Sequence, residues 1–273
     1  DSTTLFTQFD TPYVVNIQRT NFVDNSDDII SISNTTAANG LHIDINVSGN
    51  NFTLNDTNDF DATDLSETAF EMNWNGVARV NLFNNIVTMN GLDAAESQTA
   101  FAIDNNSFED ELILDITANS IPLSAQPNAI GISLNTEALA SALINNNSFQ
   151  FNGVSSEGMI FDLGTQNEVS LLNNQMLFQN DGGTGMRFDM VSQPSVFTIS
   201  GNNIGLTDLA VGTNEIGIQF RTVVGTPSLL GNLNNQIVLL NPGFIGGGIG
   251  GIPANIEIDF TIPRANGQIL ING

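Results

Sequence analysis

One phrase built from asparagine and apolar residues returns about once every thirty positions between Val47 and Leu239, so this chain must be made by stacking copies of one unit. It runs Val47-Ser-Gly-Asn50-Asn-Phe52, Leu82-Phe-Asn84-Asn-Ile86, Ile116-Thr-Ala-Asn119-Ser-Ile121, Ile144-Asn-Asn-Asn147-Ser-Phe149, Leu172-Asn-Asn174-Gln-Met176, Ile199-Ser-Gly-Asn202-Asn-Ile204 and Leu233-Asn-Asn235-Gln-Ile237. The anchoring residues Asn50, Asn84, Asn119, Asn147, Asn174, Asn202 and Asn235 are separated by 34, 35, 28, 27, 28 and 33 positions, a steady period with insertions of a few residues.

A second phrase keeps step with the first: a small residue, two apolar residues flanking an outward one, and a polar stop. It reads Ala69-Phe-Glu-Met72-Asn73, Ala100-Phe-Ala-Ile103-Asp104, Ala129-Ile-Gly-Ile132-Ser133, Gly158-Met-Ile-Phe161-Asp162, Gly185-Met-Arg-Phe188-Asp189 and Glu215-Ile-Gly-Ile218-Gln219. Between the two lie alternating segments such as Leu112-Ile-Leu114-Asp-Ile116 and Val169-Ser-Leu171. Alternation at period two marks short strands with one buried face, and the Asn, Gly, Asp and Ser clusters between them mark turns. A unit of three short strands cannot bury its apolar face alone, so successive units stack.

The expected fold is therefore all-β, a parallel β-helix of three sheets and about seven to eight coils over residues 28–240. A right-handed winding follows from the general handedness of parallel connections. Residues 1–27 read as N-terminal β segments or a first coil, and residues 241–273 as a Gly-rich linker with a short C-terminal β extension. Strands sit about 4.8 Å apart, so an asparagine kept at one corner forms a ladder of side-chain amides. Asparagine also tolerates the left-handed backbone of a sharp corner.

Charge bounds the partners. The chain has 29 acidic residues against five arginines (Arg19, Arg79, Arg187, Arg221 and Arg264), one histidine, no cysteine and a net charge of −24. Such a surface repels nucleic acid and anionic membranes, and no run of eighteen apolar residues offers a bilayer span. The acidic, lysine-free, Asn-rich composition points to an extracellular or cell-surface protein of a bacterium or archaeon in a saline setting.

The phrase Ile199-Ser-Gly-Asn202-Asn-Ile204 and its six counterparts resemble the coils of the right-handed parallel β-helix superfamily, which holds pectin-lyase-like enzymes, phage tailspikes and bacterial surface adhesins. The resemblance covers roughly residues 28–240 and implies a fold better than a function, because the shared phrase consists of core and corner residues. Enzymes of this kind need a strong base beside calcium-binding carboxylates, or clustered aspartates with His, Arg and Lys. Here the one histidine, His42, alternates with Leu41, Ile43 and Ile45 and so faces outward. The nearest approach to a catalytic group is Arg187 with Asp162 and Asp189, which the phrase places at one corner of adjacent coils, in a column with Asn73, Asp104, Ser133 and Gln219. Two carboxylates that close raise one pKa or recruit a cation.

No cofactor is expected, with calcium the one ion to weigh. The oxygen-rich stretches holding Asp24, Asp27 and Asp28, and Asp56, Asp59 and Asp61, suit a hard cation but lack EF-hand spacing. Trp74 is placed at a corner where it could be exposed to a sugar. Among the sequons, Asn34, Asn46 and Asn55 read as the better glycosylation acceptors, Asn51 as too close to the core corner, and Asn105 and Asn146 complete the set.

A solenoid also ends in open strand edges that pair with other chains unless covered. Leu5 to Phe9 and Tyr13 to Ile17 read as β-forming, without a capping helix. The alternating residues Ile256, Ile258, Phe260 and Ile262, with Ile269 and Ile271, read as a cap or as a strand added to a neighbouring subunit. The leading expectation is thus a non-catalytic structural protein, a β-solenoid subunit of a filament or adhesin assembling end to end as a homo-oligomer, with a glycan as a further partner. The alternative is a polysaccharide-active lyase or hydrolase. The start at Asp1, without a methionine or leader, is compatible with an exported, processed chain or an excised piece.

Overall fold

In the computed structural model the chain winds through three parallel sheets, and every regular element among the described residues is a strand. The described residues are 3–5, 13–24, 28–34, 41–55, 66–91, 97–105, 111–137, 139–164, 167–180, 182–192, 196–206, 216–220, 223–224, 228–230, 236–239, 256–258 and 270–272. The first sheet stacks Thr3–Leu5, Ile30–Asn34, Ser66–Trp74, Ser97–Asn105, Ile130–Thr136, Glu157–Leu163, Thr184–Ser192, Ile216–Phe220 and Ile256–Ile258, with Val223–Val224 beside the Thr184 strand. The second stacks Tyr13–Gln18, His42–Ser48, Val77–Phe83, Glu111–Thr117, Leu139–Asn145, Glu168–Leu172, Val196–Ser200, Ser228–Leu230 and Leu270–Asn272. The third stacks Asn21–Asp24, Asn51–Leu54, Ile86–Met89, Ser120–Ser124, Ser148–Phe151, Gln175–Phe178, Asn203–Leu206 and Gln236–Leu239. Each strand pairs in parallel with its equivalent one coil away, which is the arrangement of a three-sheet parallel β-helix.

Alternation in the sequence becomes alternation across the sheet. Along His42–Ser48 the residues Ile43, Ile45 and Val47 are buried and His42, Asp44, Asn46 and Ser48 face out. The buried set runs without interruption along the axis and includes aromatic stacks in register: Phe161 on Phe188 at 4.8 Å and Phe151 on Phe178 at 5.1 Å between ring centroids. Trp74 belongs to this core, 1% exposed, because its strand extends two residues past Met72 and keeps the inward phase. The corner exposure that would have offered it to a sugar is therefore absent.

The amide ladder is continuous. Nδ2 of Asn50 donates to Oδ1 of Asn85 at 3.0 Å, Asn85 to Asn119 at 3.0 Å, Asn119 to Asn147 at 3.1 Å, Asn147 to Asn174 at 3.0 Å and Asn174 to Asn202 at 2.9 Å. The second rung uses Asn85, where the repeat suggested Asn84. Asn84 stands one residue earlier with φ 54° and its amide outside, because Leu82 and not the residue after it keeps the inward phase of its strand. Asn235 lies outside the described residues.

The left-handed conformation and the ladder thus belong to different residues. Arg19, Gly49, Asn84, Ala118, Asn146, Asn173 and Gly201 all have φ between 52° and 68°, and each immediately precedes a ladder position. That one turned residue reverses the chain between the second and third sheets and tips the next side chain inward. The ladder asparagine then meets two backbone needs at once and links two further side-chain amides. The Asn85 amide donates to Val47 O and to Asn119 Oδ1, while its oxygen accepts from Asn50 N and Nδ2. Corner polar groups with no water to bond are satisfied in this way.

A column of small residues lines the first sheet. Ala69, Ala100, Gly131, Gly158, Gly185 and Gly217 each precede one of the stacked residues Phe70, Phe101, Ile132, Met159, Met186 and Ile218. This places Gly131 and Gly217 where the phrase alignment had Ala129 and Glu215. Space decides it: a Cβ at Gly131, Gly158 or Gly185 would sit 2.5 Å from the carbonyl oxygen of the glycine in the next coil.

At the back, Ile256–Ile258 continues the first sheet beside Ile216–Phe220, and Leu270–Asn272 continues the second beside Ser228–Leu230. The described C-terminal segments therefore pair within their own chain as a further rung. Phe260, Ile262 and Ile269 lie outside the described residues.

Candidate functional site

The second sheet carries a groove of about 450 Å³ on its outward face, over the first four coils. Two columns of outward side chains meet there by register: Val14, Asp44, Arg79 and Ile113 in one, Asn16, Asn46, Asn81 and Asp115 in the other. Each column exists because strands of the same phase stack without a register shift, so alternate residues of four coils, far apart in sequence, come one strand spacing apart. Asn46 donates to Asn16 at 3.4 Å and Asn81 to Asn46 at 3.2 Å, a second and exposed amide ladder.

The groove's charged groups differ in how they are engaged. Asp44 bonds His42 Nε2 at 2.9 Å, and Asp115 accepts from Thr117 Oγ1. Arg79 is exposed and forms no ion pair among the described residues. His42 faces outward, half-buried, as its alternation required. Nothing in the sequence singled out Arg79, since an outward arginine in a strand reads as ordinary surface. The available signal was the polar position four residues before each ladder asparagine, occupied by Asn46, Asn81 and Asp115.

Arg187, Asp162 and Asp189 do come together on the first sheet, in a different arrangement from a shared corner. A β-bulge after Phe161 pairs Asp162 with Met190, so Asp189 is the extra residue of its strand. Arg187 donates Nε to Asp189 at 3.1 Å and Nη1 to Glu157, and only 17% of its side chain is exposed. Asp162 has one buried oxygen, Oδ1, with no hydrogen-bond partner among the described residues, and burial with the Asp189 charge pushes its carboxyl above the usual range. The polar column is Asn73, Asp104, Asn135 and Asp162. Ser133 falls opposite Ala102, and Gln219 beside Arg187, two residues out of the expected phase. A guanidinium held by two carboxylates is charged and occupied, and it offers no free base.

Of the acidic residues weighed for calcium, Asp28 is the one whose side chain is described. Its oxygen accepts the Thr68 N–H at 2.8 Å, and burial, with the Glu71 charge and a hydrogen bond shared with Glu71, raises its carboxyl to about 7. Ser31 Oγ donates to Glu71 at 2.9 Å. Asp24 closes the strand Asn21–Asp24, while Asp27, Asp56, Asp59 and Asp61 lie outside the described residues. Among the described residues no three His, Asp or Glu side chains converge as a metal cage.

The sequons separate sharply. Asn34 is 6% exposed, with Nδ2 donating to Asn75 O, and Asn105 is fully buried with Nδ2 on Gly76 O. Asn46 and Asn55 are bonded in outward ladders, the latter accepting from Asn90 at 2.9 Å. Asn51, expected against the core, is exposed, since the buried rung is Asn50; Asn146 is exposed at its turned corner. Compared with protein-family models, curated proteins and solved structures, the chain matches none.

Proposed function

We propose that this chain is a non-catalytic structural protein, a β-solenoid subunit of an extracellular filament or surface adhesin whose coils stack end to end. The observation that carries this reading is the first rung. Thr3–Leu5, Tyr13–Gln18 and Asn21–Asp24 end their three sheets, each paired on one side only among the described strands. Tyr13, Val15, Ile17 and Phe22 pack on the core yet stay partly exposed, while their counterparts one coil on, Ile43, Ile45, Val47 and Phe52, are buried. Among the described residues the end thus presents three parallel edges, all of one polarity, around an apolar plate. A further parallel coil fits it in register. The lack of lysine and cysteine and the charge of −24 favour a salt-rich exterior, where repulsion between subunits is screened.

The polysaccharide-active alternative has less support, because Arg187 is tied to Glu157 and Asp189. Sedimentation and electron microscopy in about molar salt with calcium test the proposal. Elongated assemblies are expected, lost in a Val15→Glu, Phe22→Glu double variant that keeps its β circular dichroism. A wild-type chain that stays monomeric at every concentration overturns it. Hydrolysis or elimination of any glycan in a panel, abolished by Asp162→Ala or Arg187→Ala, would establish the alternative instead.

A further inference from the structure

We propose that the groove on the second sheet, over the first four coils, binds a neutral polyhydroxyl chain, a glycan without carboxylates or amines, lying along the two outward columns. This inference goes beyond end-to-end assembly and stands independently of it.

The argument begins with unspent hydrogen-bonding capacity. Asn16 accepts from Asn46 and Asn46 from Asn81, so the ladder uses one donor hydrogen of Asn46 and one of Asn81. Among the described residues the Asn16 amide hydrogens and the Asn81 oxygen remain unspent at the two ends, with one further amide hydrogen each on Asn46 and Asn81. Arg79 adds a fork of five donors beside Asn81. The groove thus offers both donors and acceptors along its length, and hydroxyl groups both donate and accept.

Charge narrows the class. Asp44 and Asp115 are already bonded to His42 and Thr117, and together they outweigh the single guanidinium. An anionic chain would meet them and a molecule of net charge −24. A cation would need convergent carboxylates, but Asp44 and Asp115 lie in different columns two coils apart. What remains is a neutral ligand with apolar patches. Val14, 64% exposed, and the half-buried Ile113 sit at the two ends of the Arg79 column and suit the C–H faces of sugar rings. None of the residues lining the groove is aromatic, so affinity is set by hydrogen bonds, at a Kd of about 0.1–1 mM.

A soluble β-1,4-linked glucose hexamer, titrated into the full chain and followed by calorimetry and amide NMR shifts, tests this. Saturable binding is expected, with shifts confined to the second sheet. Arg79→Ala and Asn81→Ala should each weaken it about tenfold, while Glu168→Ala, on the Arg79 column beyond the groove, should leave it unchanged. All three side chains are exposed, and matching thermal melts confirm the fold. The proposal fails if the hexamer gives no saturation at about 10 mM, or if both groove variants bind as wild type does. It also fails if only an oligogalacturonate binds, which would make Arg79 an anion site.

Discussion

Asn147 and Asn174, 27 residues apart in the chain, touch directly: Nδ2 of Asn147 donates to Oδ1 of Asn174 at 3.0 Å, and its backbone N–H donates to the same oxygen at 3.1 Å. Asn147 Nδ2 also reaches Ile116 O at 2.8 Å, so one side chain ties three coils together. Replacing Asn147 by Leu removes the side-chain acceptor of Asn119 N, one of the acceptors of Asn119 Nδ2 and the amide donor to Ile116 O in a dry corner. With each lost partner costing about 1–3 kcal/mol, a destabilisation of about 4 kcal/mol is expected in urea melts. Its neighbour Asn146, exposed and turned outward, should tolerate Gly without loss.

The turned corner gives a prediction of opposite sign at Ala118. Its φ of 58° is a conformation that a Cβ disfavours by about 1 kcal/mol. Ala118→Gly should therefore raise stability by up to about 1 kcal/mol, less the extra freedom glycine gains when unfolded. Gly201→Ala should lower it, because the new Cβ would sit 2.4 Å from Asn173 Oδ1. Thermal melts of the two variants check the pair.

Acid should stabilise this protein where Asp28 titrates. The folded carboxyl, raised to about 7, keeps its proton where the unfolded one, near its ordinary value of 3.8, has lost it. The folded state therefore binds more protons between those values, and stability falls as pH rises from about 4 through 7. Asp28→Asn should flatten that part of the melting-temperature profile. A wild-type profile that is flat or rising from pH 5 to 8 would contradict the half-buried pairing of Asp28 with Glu71.

Arg187 is predicted to act structurally. Arg187→Met leaves Glu157 and Asp189 facing one another beside the buried oxygen of Asp162. A loss of about 2 kcal/mol at neutral pH is expected, reduced from that of a fully buried pair by the remaining exposure. Asp162→Asn should be neutral or stabilising, since the folded state already disfavours its charge. Denaturation midpoints at pH 5 and 8 separate the two, with the Asn variant gaining most at the higher pH.

The repeat settled much of this in advance. A phrase that returns with Asn119, Asn147, Asn174 and Asn202 at nearly constant spacing can satisfy its corner polar groups only by stacking, so the three-sheet winding and the buried amide column were legible from residue order. Inward residues such as Ile43, Ile45 and Val47 were equally legible, because strand geometry alone sends alternate side chains to one face. Register to a single residue was not. Asn84 and Asn85 are chemically identical, and only the packed corner decides which turns and which is buried. The bulge that displaces Asp189, and the meetings of Arg79 with Asp44 and of Asn81 with Asn46, arise between coils. Local sequence fixes a residue's face; its neighbours on that face come from strands about thirty residues away, and only the stacked backbone chooses them.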